Sequence, residues 1–380
     1  MARILVTNFH KGPGTGHTTY IRTLTRLSGE SEHVVGVAVA ERSRLYRLLK
    51  EHGHPHLFAC EFPNRVLKRK KDFLSSIRRF RDIVREFRPD IVHTNGGADL
   101  FVSLWSHPVA RPYRVVRTHH ANRKIRSDPY HRLVYGRLTS ANIFVSDSAY
   151  EKAVSRGVVP HNALVIKNGV DVDRFRPMAK DDGLARRFGI DEGTFCFGTS
   201  GGTKFYKRVD TIIKAASLVK TQRRFAILVL GGPNPELEEM ARALIPGKFV
   251  HLGFQEDVVP YISLFDVGFI LSDAIETISF AAREMMSMGK PLISSTYSGL
   301  KENVIHGTNG LLVEPGDVRG IAEAMGAFLA MDVETLGRFS ENARLHAVEH
   351  FNVRDQLLSH ARLYDALARP GKPTRGLVGA

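Results

Sequence analysis

The chain is poor in cysteine, with two thiols, Cys60 and Cys196, in 380 residues. They stand far apart in short apolar segments. That excludes a disulfide-stapled scaffold and reads as two buried thiols in a reducing compartment. Long apolar runs are also missing: no stretch reaches the ~18 residues needed to span a bilayer. Residues 1–7 form a short strand-like run that turns polar at once, without the apolar core of a signal peptide. A cytoplasmic protein is the expectation. No His, Cys, Asp or Glu cluster has metal-ligand spacing. The dinucleotide fingerprint is incomplete, because no glycine stands three residues after Gly16. This counts against an NAD-dependent oxidoreductase.

What is present is a globular composition, 43% apolar and 24% charged. The length suits two domains better than one. A net charge of +15 favours anionic partners, whether nucleic acid, acidic lipid or phosphorylated small molecules. The basic residues are dispersed, with no aromatic-interleaved stripe, so a nucleic-acid partner is not expected.

Short apolar runs alternate with helical patterns. Strands are expected at residues 3–6, 34–39, 91–94, 114–117 and 143–146. A second series is expected at 195–198, 226–230, 250–252, 267–271, 291–294 and 310–313. Helices are expected between them, including 18–27, 208–220, 278–288 and 353–367. Buried strands separated by helices predict parallel sheets covered on both faces, hence an α/β protein of two Rossmann-like halves. The expected division is an N-terminal domain over 1–172 and a C-terminal domain over 173–350. A helix over 351–368 is expected to pack back toward the N-terminal domain, followed by a disordered tail over 369–380.

Polar clusters follow the carboxyl ends of the expected strands, where ligands bind in open parallel sheets. After the strand at 267–271 comes Glu276, then Thr277, Ile278 and Ser279, then a helix carrying Glu284. On one continuous helix the eight-residue spacing would set the glutamates about 80° apart. With Glu276 in the turn before the helix, both can face one site. The amides of residues 277–280 would attract oxygen atoms there. The bland alternative is a solvated Glu284. The loop 197–210 follows a strand and opens a helix. Gly202 lets backbone approach a phosphate, and Lys204, Lys207 or Arg208 can neutralise it. Gly14 and Gly16 form a third loop, a plain tight turn in the bland reading. His119 and His120 follow the strand at 114–117, and His93 and Asn95 follow that at 91–94. Helix-spaced apolar residues within 66–88, from Phe73 to Phe87, are flanked by Lys68, Arg69, Lys70, Lys71, Arg78, Arg79, Arg81 and Arg85. Such a helix can lie on anionic lipid or simply cover a sheet.

The segment Glu276-Thr-Ile-Ser-Phe-Ala-Ala-Arg-Glu284 resembles the two-glutamate motif of the retaining glycosyltransferases of family 4, which have the GT-B fold. Its context fits: Met285-Met-Ser-Met-Gly-Lys-Pro, Gly299-Leu-Lys-Glu-Asn, His306 to Asp317, and Ile166 to Pro177 at the expected linker. The resemblance implies two Rossmann-like domains facing a cleft, with a nucleoside-diphosphate sugar as co-substrate and no bound metal or other cofactor. It implies that Glu284 accepts hydrogen bonds from ribose hydroxyls, that Glu276 approaches the donor sugar, and that His120 lies near that sugar. Lys207 matches the family's lysine, but the family's arginine falls on Gly202. Lys204 or Arg208 is then the candidate replacement. Gly14 and Gly16 match the N-terminal glycine loop. Ile278-Ser279 replace the usual Phe-Gly, so a side chain at 279 is expected to alter which donor sugar fits.

The implied reaction is sugar transfer to a hydroxyl of a glycan or lipid-linked acceptor, in bacterial polysaccharide or lipopolysaccharide synthesis. Peripheral contact with an anionic membrane is an open partner reading. A nucleotide-sugar epimerase or phosphorylase on the same fold is the alternative. The former would turn over without an acceptor, and the latter would depend on inorganic phosphate.

Overall fold

A computed structural model describes residues 1–11, 16–63, 70–120, 128–157 and 162–368. The chain divides into two units, Met1–Asn168 with Asp355–Ala380, and Gly169–Arg354. The expected domain break at residue 172 therefore falls between Asn168 and Gly169, and a second break falls within the Val353–Ala368 helix. Residues 369–380 lie outside the described residues.

The first unit is built on a seven-stranded sheet: β1 Arg3–Asn8, β2 Val34–Val39, β3 Leu57–Ala59, β4 Ile91–Thr94, β5 Arg114–His119, β6 Ala141–Phe144 and β7 Ala163–Val165. Its order is β3-β2-β1-β4-β5-β6-β7, with each neighbouring pair parallel. The second unit has six strands: β8 Phe195–Thr199, β9 Phe225–Leu230, β10 Phe249–Gly253, β11 Val267–Ile270, β12 Leu292–Ser295 and β13 Gly310–Val313. Their order is β10-β9-β8-β11-β12-β13, again parallel throughout. Runs such as Phe-Ala-Ile-Leu-Val-Leu in β9 are buried at every position. A strand covered by helices on both faces has no solvent side on which to alternate.

Two cores flank the second sheet. Leu228, Met285, Met286 and Leu292 are buried on one side, and Phe197, Ile227, Phe269 and Phe328 on the other. Gly198 in β8 is required by this packing: a Cβ there would lie 2.2 Å from Phe265 Cδ1. Helix starts follow local chemistry. Asp317 and Asp332 accept from the amides of Gly320 and Thr335, each satisfying a donor that the helix leaves open. Both cysteines are buried free thiols, and burial pushes Cys60 up to about 12 and Cys196 up to about 11.

The basic helix runs over Lys70–Phe87, and residues 66–69 of the expected segment lie outside the described residues. Its apolar face is not available to lipid. Ile77, Phe80, Ile83, Val84 and Phe87 are buried, and all but Ile77 join Leu5, Val92 and Val115 in one core cluster. The sheet claims that face because burying it there removes more apolar area from water. No described helix is long and apolar enough to cross a membrane.

Candidate active site

In each sheet the strand order reverses once, between β1 and β4 and between β8 and β11. At such a point the loops leaving the two adjacent carboxyl ends part and open a crevice. In the second unit those loops are 200–208 and 271–279, and they bring Lys207 and Glu276 together. Lys207 Nζ donates to both carboxylate oxygens of Glu276 at 2.8 Å, 69 residues away in sequence. The pair is largely shielded, with 14% and 12% of the side chains exposed. Ser272 Oγ also donates to Glu276, and Ser272 O accepts from Ser295 Oγ at 2.7 Å. The loops are tied again where Asp273 N donates to Tyr206 O at 3.3 Å.

The residue before Glu276 carries strain. Ile275 adopts φ 67°, a left-handed conformation that a β-branched side chain disfavours. It lies half exposed while Glu276 turns inward. The inversion aims the carboxylate back at Lys207.

The other cations of the loop are placed differently. Arg208, also left-handed at φ 58°, pairs through Nη1 with Asp273 and through Nε with Asp210 at 3.2 Å. These partners raise its pKa, the hydrogen bond to Asp273 contributing most. Arg208 therefore braces the two loops with its charge already matched. Lys204 is exposed just before the 3-10 turn Phe205–Lys207. Gly202 has φ 89°, and Gly231 packs so close that a Cβ on Gly231 would lie 2.9 Å from Gly202 Cα. No side chain fills the position of the family's arginine.

The helix of the second glutamate runs over Phe280–Ser287. Its start is two residues later than expected, because Ser279 is the cap: its Oγ accepts from Ala282 N at 3.3 Å. Ser279 is buried, as are Thr277 and Ile278. Its hydroxyl thus serves the helix start. Glu284 lies one turn inside, partly buried, and its carboxylate makes no hydrogen bond or ion pair among the described residues. Burial pushes its carboxyl up to about 7, and Arg174 opposes the shift.

In the first unit, Gly14 lies outside the described residues and Gly16 opens the helix Gly16–Thr25. His120 follows β5, with Nε2 2.7 Å from Asn95 Oδ1. Asn95 Nδ2 donates to Thr7 O at 2.9 Å, which leaves Oδ1 to accept and puts the proton of His120 on Nε2. The His120 ring lies 4.3 Å from that of His17 and 4.6 Å from that of Tyr20. Burial, then His17 and Arg117, holds His120 well below its ordinary pKa. His119 points elsewhere: it stacks on Phe144 at 4.7 Å and bonds Asn142. His93 is buried between Tyr364 and Thr118, at 2.6 Å to each. Asp99 accepts from Thr7 Oγ1 and Asn95 N, and burial pushes its carboxyl up to about 6. Among the described residues no three His, Cys, Asp or Glu side chains are grouped to hold a metal ion.

Residues 14–174 match the family described as Glycosyltransferase Family 4, and residues 194–331 match Glycosyl transferases group 1. The chain belongs to glycosyltransferase family 4. Its two parallel-sheet units are those of the GT-B fold. This family 4 chain is similar to a glycosyltransferase from Rickettsia africae, with a TM-score of 0.84 at 18% identity over 97% of this chain and 99% of that one. It is also similar to Anabaena HepE in complex with UDP-glucose, with a TM-score of 0.80 at 20% identity over 96% of this chain and all (100%) of that one. Among curated relatives, N-acetyl-alpha-D-glucosaminyl L-malate synthase of Bacillus anthracis is 27% identical over 50% of each chain. The 2-deoxystreptamine N-acetyl-D-glucosaminyltransferase of Streptomyces fradiae is 26% identical over 71% of this chain and 72% of its own length. Matches to the first two curated relatives span 50% and 61% of those proteins' lengths.

Three features were not read from the sequence: in the second unit the inverted backbone at Ile275 and the brace from Arg208 to Asp273, and in the first unit the fixing of His120 by Asn95. For the last, the strand-end position of Asn95 was the available clue.

Proposed function

We propose that this glycosyltransferase moves a sugar, with retention, from a nucleoside-diphosphate sugar to a hydroxyl of a glycan or lipid-linked acceptor. The bond from the anomeric carbon to the β-phosphate oxygen breaks. A bond from that carbon to the acceptor oxygen forms, the hydroxyl proton is released, and the nucleoside diphosphate departs. The observation that carries this reading is the Lys207–Glu276 pair at the β8/β11 switch point, eight residues ahead of Glu284, whose carboxylate is unbonded among the described residues.

Lys207 would stabilise the charge growing on the diphosphate, a fixed cation that needs no rearrangement. Exposed Lys204 and the open backbone at Gly202 would border the phosphates. Arg208 would act indirectly, by holding the loop that carries Lys207. Glu284 would accept from the ribose hydroxyls, and Glu276 would face the donor sugar with its orientation set by Lys207 and Ser272. Neutral His120 would serve that sugar, and Gly14 and Gly16 would meet the diphosphate or the acceptor, the roles that the family resemblance implies. No metal or other cofactor has a part in this scheme. Retention and a place in cell-surface polysaccharide or lipopolysaccharide synthesis, at the inner face of a bacterial membrane, belong to the proposal.

A second acceptor class has support of its own. The names of the Bacillus and Streptomyces relatives join N-acetyl-D-glucosaminyl groups to L-malate and to 2-deoxystreptamine, both small polar molecules. The test is a thermal-shift screen of UDP-, GDP- and ADP-sugars, because a ligand that prefers the folded state raises its melting temperature. Product analysis with lipid-linked and small soluble acceptors then follows. One donor should stabilise the protein, and its sugar should be transferred. Turnover without an acceptor, or only with inorganic phosphate, would replace the proposal with the epimerase or phosphorylase alternative.

A further inference from the structure

The surface of the first unit carries an aromatic patch that the transfer chemistry does not use. Phe73, Phe101 and Trp105 form a row, with ring centroids 5.3 and 5.7 Å apart. Trp105 is 48% exposed, and its indole lies close enough to act on the hydroxyl of Tyr130, which is 45% exposed. Leu133, one turn beyond Tyr130, is exposed, and so are Leu74 and Val109. Apolar side chains gathered on one surface lose free energy in water and mark an interaction face.

Arginines border the patch. Leu74, Arg78, Arg81 and Arg85 recur at helical spacing along one stripe of the Lys70–Phe87 helix. Arg81 Nε donates to Ser106 O at 2.6 Å, which fixes the stripe beside the end of the Gly97–Ser106 helix that carries Trp105. Arg81 and Arg85 both act electrostatically on His107, so their charges lie at that same end. Asp82 pairs with Arg85 at 2.9 Å, and Arg78 has no such partner among the described residues.

We propose that this face docks on an anionic lipid bilayer, with Trp105, Tyr130, Leu133 and Val109 entering the headgroup region while the arginine stripe meets lipid phosphates. Trp and Tyr present an apolar body with a polar tip, which suits the boundary between hydrocarbon and water. Arginine beside them supplies charge complementary to an acidic leaflet. The charge of +15 acts in the same direction at longer range. This rests on the membrane part of the proposed function and replaces the buried apolar face of the basic helix with a different set of contacts.

Trp105 is the chain's single tryptophan, so its fluorescence reports this face alone. With vesicles containing phosphatidylglycerol, its emission should shift to shorter wavelength. Pure phosphatidylcholine vesicles should give a much smaller shift. Each neutralised arginine should weaken partition about fivefold, so Arg78→Gln with Arg85→Gln should weaken it on the order of 25-fold. Val109→Asp, at a position 98% exposed and therefore safe for folding, should weaken it by at least about fivefold. An unchanged Trp105 spectrum while the protein sediments with the vesicles would overturn the assignment, since binding would then use another surface. A shift that follows protein concentration without lipid would overturn it in favour of a second copy. Donor-induced thermal stabilisation measured on the same sample separates the two readings. Intact donor binding with no spectral shift rejects the docking face alone, whereas absent donor binding rejects the site.

Discussion

Replacing Glu284 by glutamine should make the ligand-free protein more stable at pH 8 and a worse binder of its donor. Glu284 is partly buried, no donor among the described residues bonds its carboxylate, and burial lifts that carboxyl from 4.5 to about 7. Its folded pKa lies above the unfolded one, so the folded chain keeps a proton that the unfolded chain has released. The cost to the fold is absent below about 4.5, grows through the interval, and is complete above about 7. At about 1.4 kcal/mol per pH unit the ceiling is about 3 kcal/mol. Partial exposure reduces it to about 1–2 kcal/mol. For a domain of this size that corresponds to a melting temperature about 3–6 °C higher in Glu284→Gln at pH 8, with little difference at pH 4.5. Ribose hydroxyls would supply what the fold withholds, two donors to an ionised carboxylate. Loss of these charge-assisted bonds should weaken nucleotide-sugar binding by about 30-fold or more in calorimetry. Wild-type affinity should rise about tenfold from pH 6 to pH 8, because binding must release the proton. A Glu284→Gln protein that melts lower than wild type at pH 8, or that binds the donor equally well, would refute the argument.

Lys207→Ala should lower kcat by about two to three orders of magnitude with a smaller change in KM, since the lysine is asked to stabilise a charge that develops during transfer; steady-state kinetics checks the split. Ile275→Asn should raise the melting temperature, because asparagine tolerates the left-handed backbone at about 1 kcal/mol less strain. A lowered value would show that the isoleucine side chain contributes more by packing than its backbone costs. The buried histidines predict acid sensitivity of the first unit. Burial holds His17 and His360 at about 4, so the unfolded chain takes up their protons first and stability is lost as pH falls below about 6.5. Each should cost about 2 kcal/mol at pH 5, and His360→Gln should flatten the pH dependence of the urea midpoint.

The parallel sheets were legible because apolar residues run unbroken through strands such as β9 and β13, whose ends fell within a residue of expectation. The three-residue strands β3 and β7 were not read, since so short an edge strand carries no periodicity. β6 was expected two residues late: the run to Ser146 looked continuous, but Ser146 is a helix cap whose Oγ accepts from Ala149 N. The site was legible in part. Glu276 and Lys207 were singled out by type and by the family pattern, and the strand order explains why they meet. Lys204 or Arg208 was expected to supply the charge that Gly202 lacks; the pairing of Arg208 with Asp210 and Asp273 was not foreseen, because only one of those partners is near in sequence. Ile275 could not be foreseen, because its side chain argues against the conformation it adopts. Nor could the link of His93 to Tyr364, which closes over 271 residues.

That last link bears on the order in which the molecule can be made. The ring nitrogens of His93 and the hydroxyl of Tyr20 take their partners partly from Tyr364 and His360, which a ribosome delivers only after the whole second sheet has emerged. A nascent chain halted at Asn168 would hold seven strands around donors and acceptors still waiting for those side chains. The first half translated is then the last to be sealed, and the six-stranded unit, whose stretch of chain is continuous, is free to fold before it.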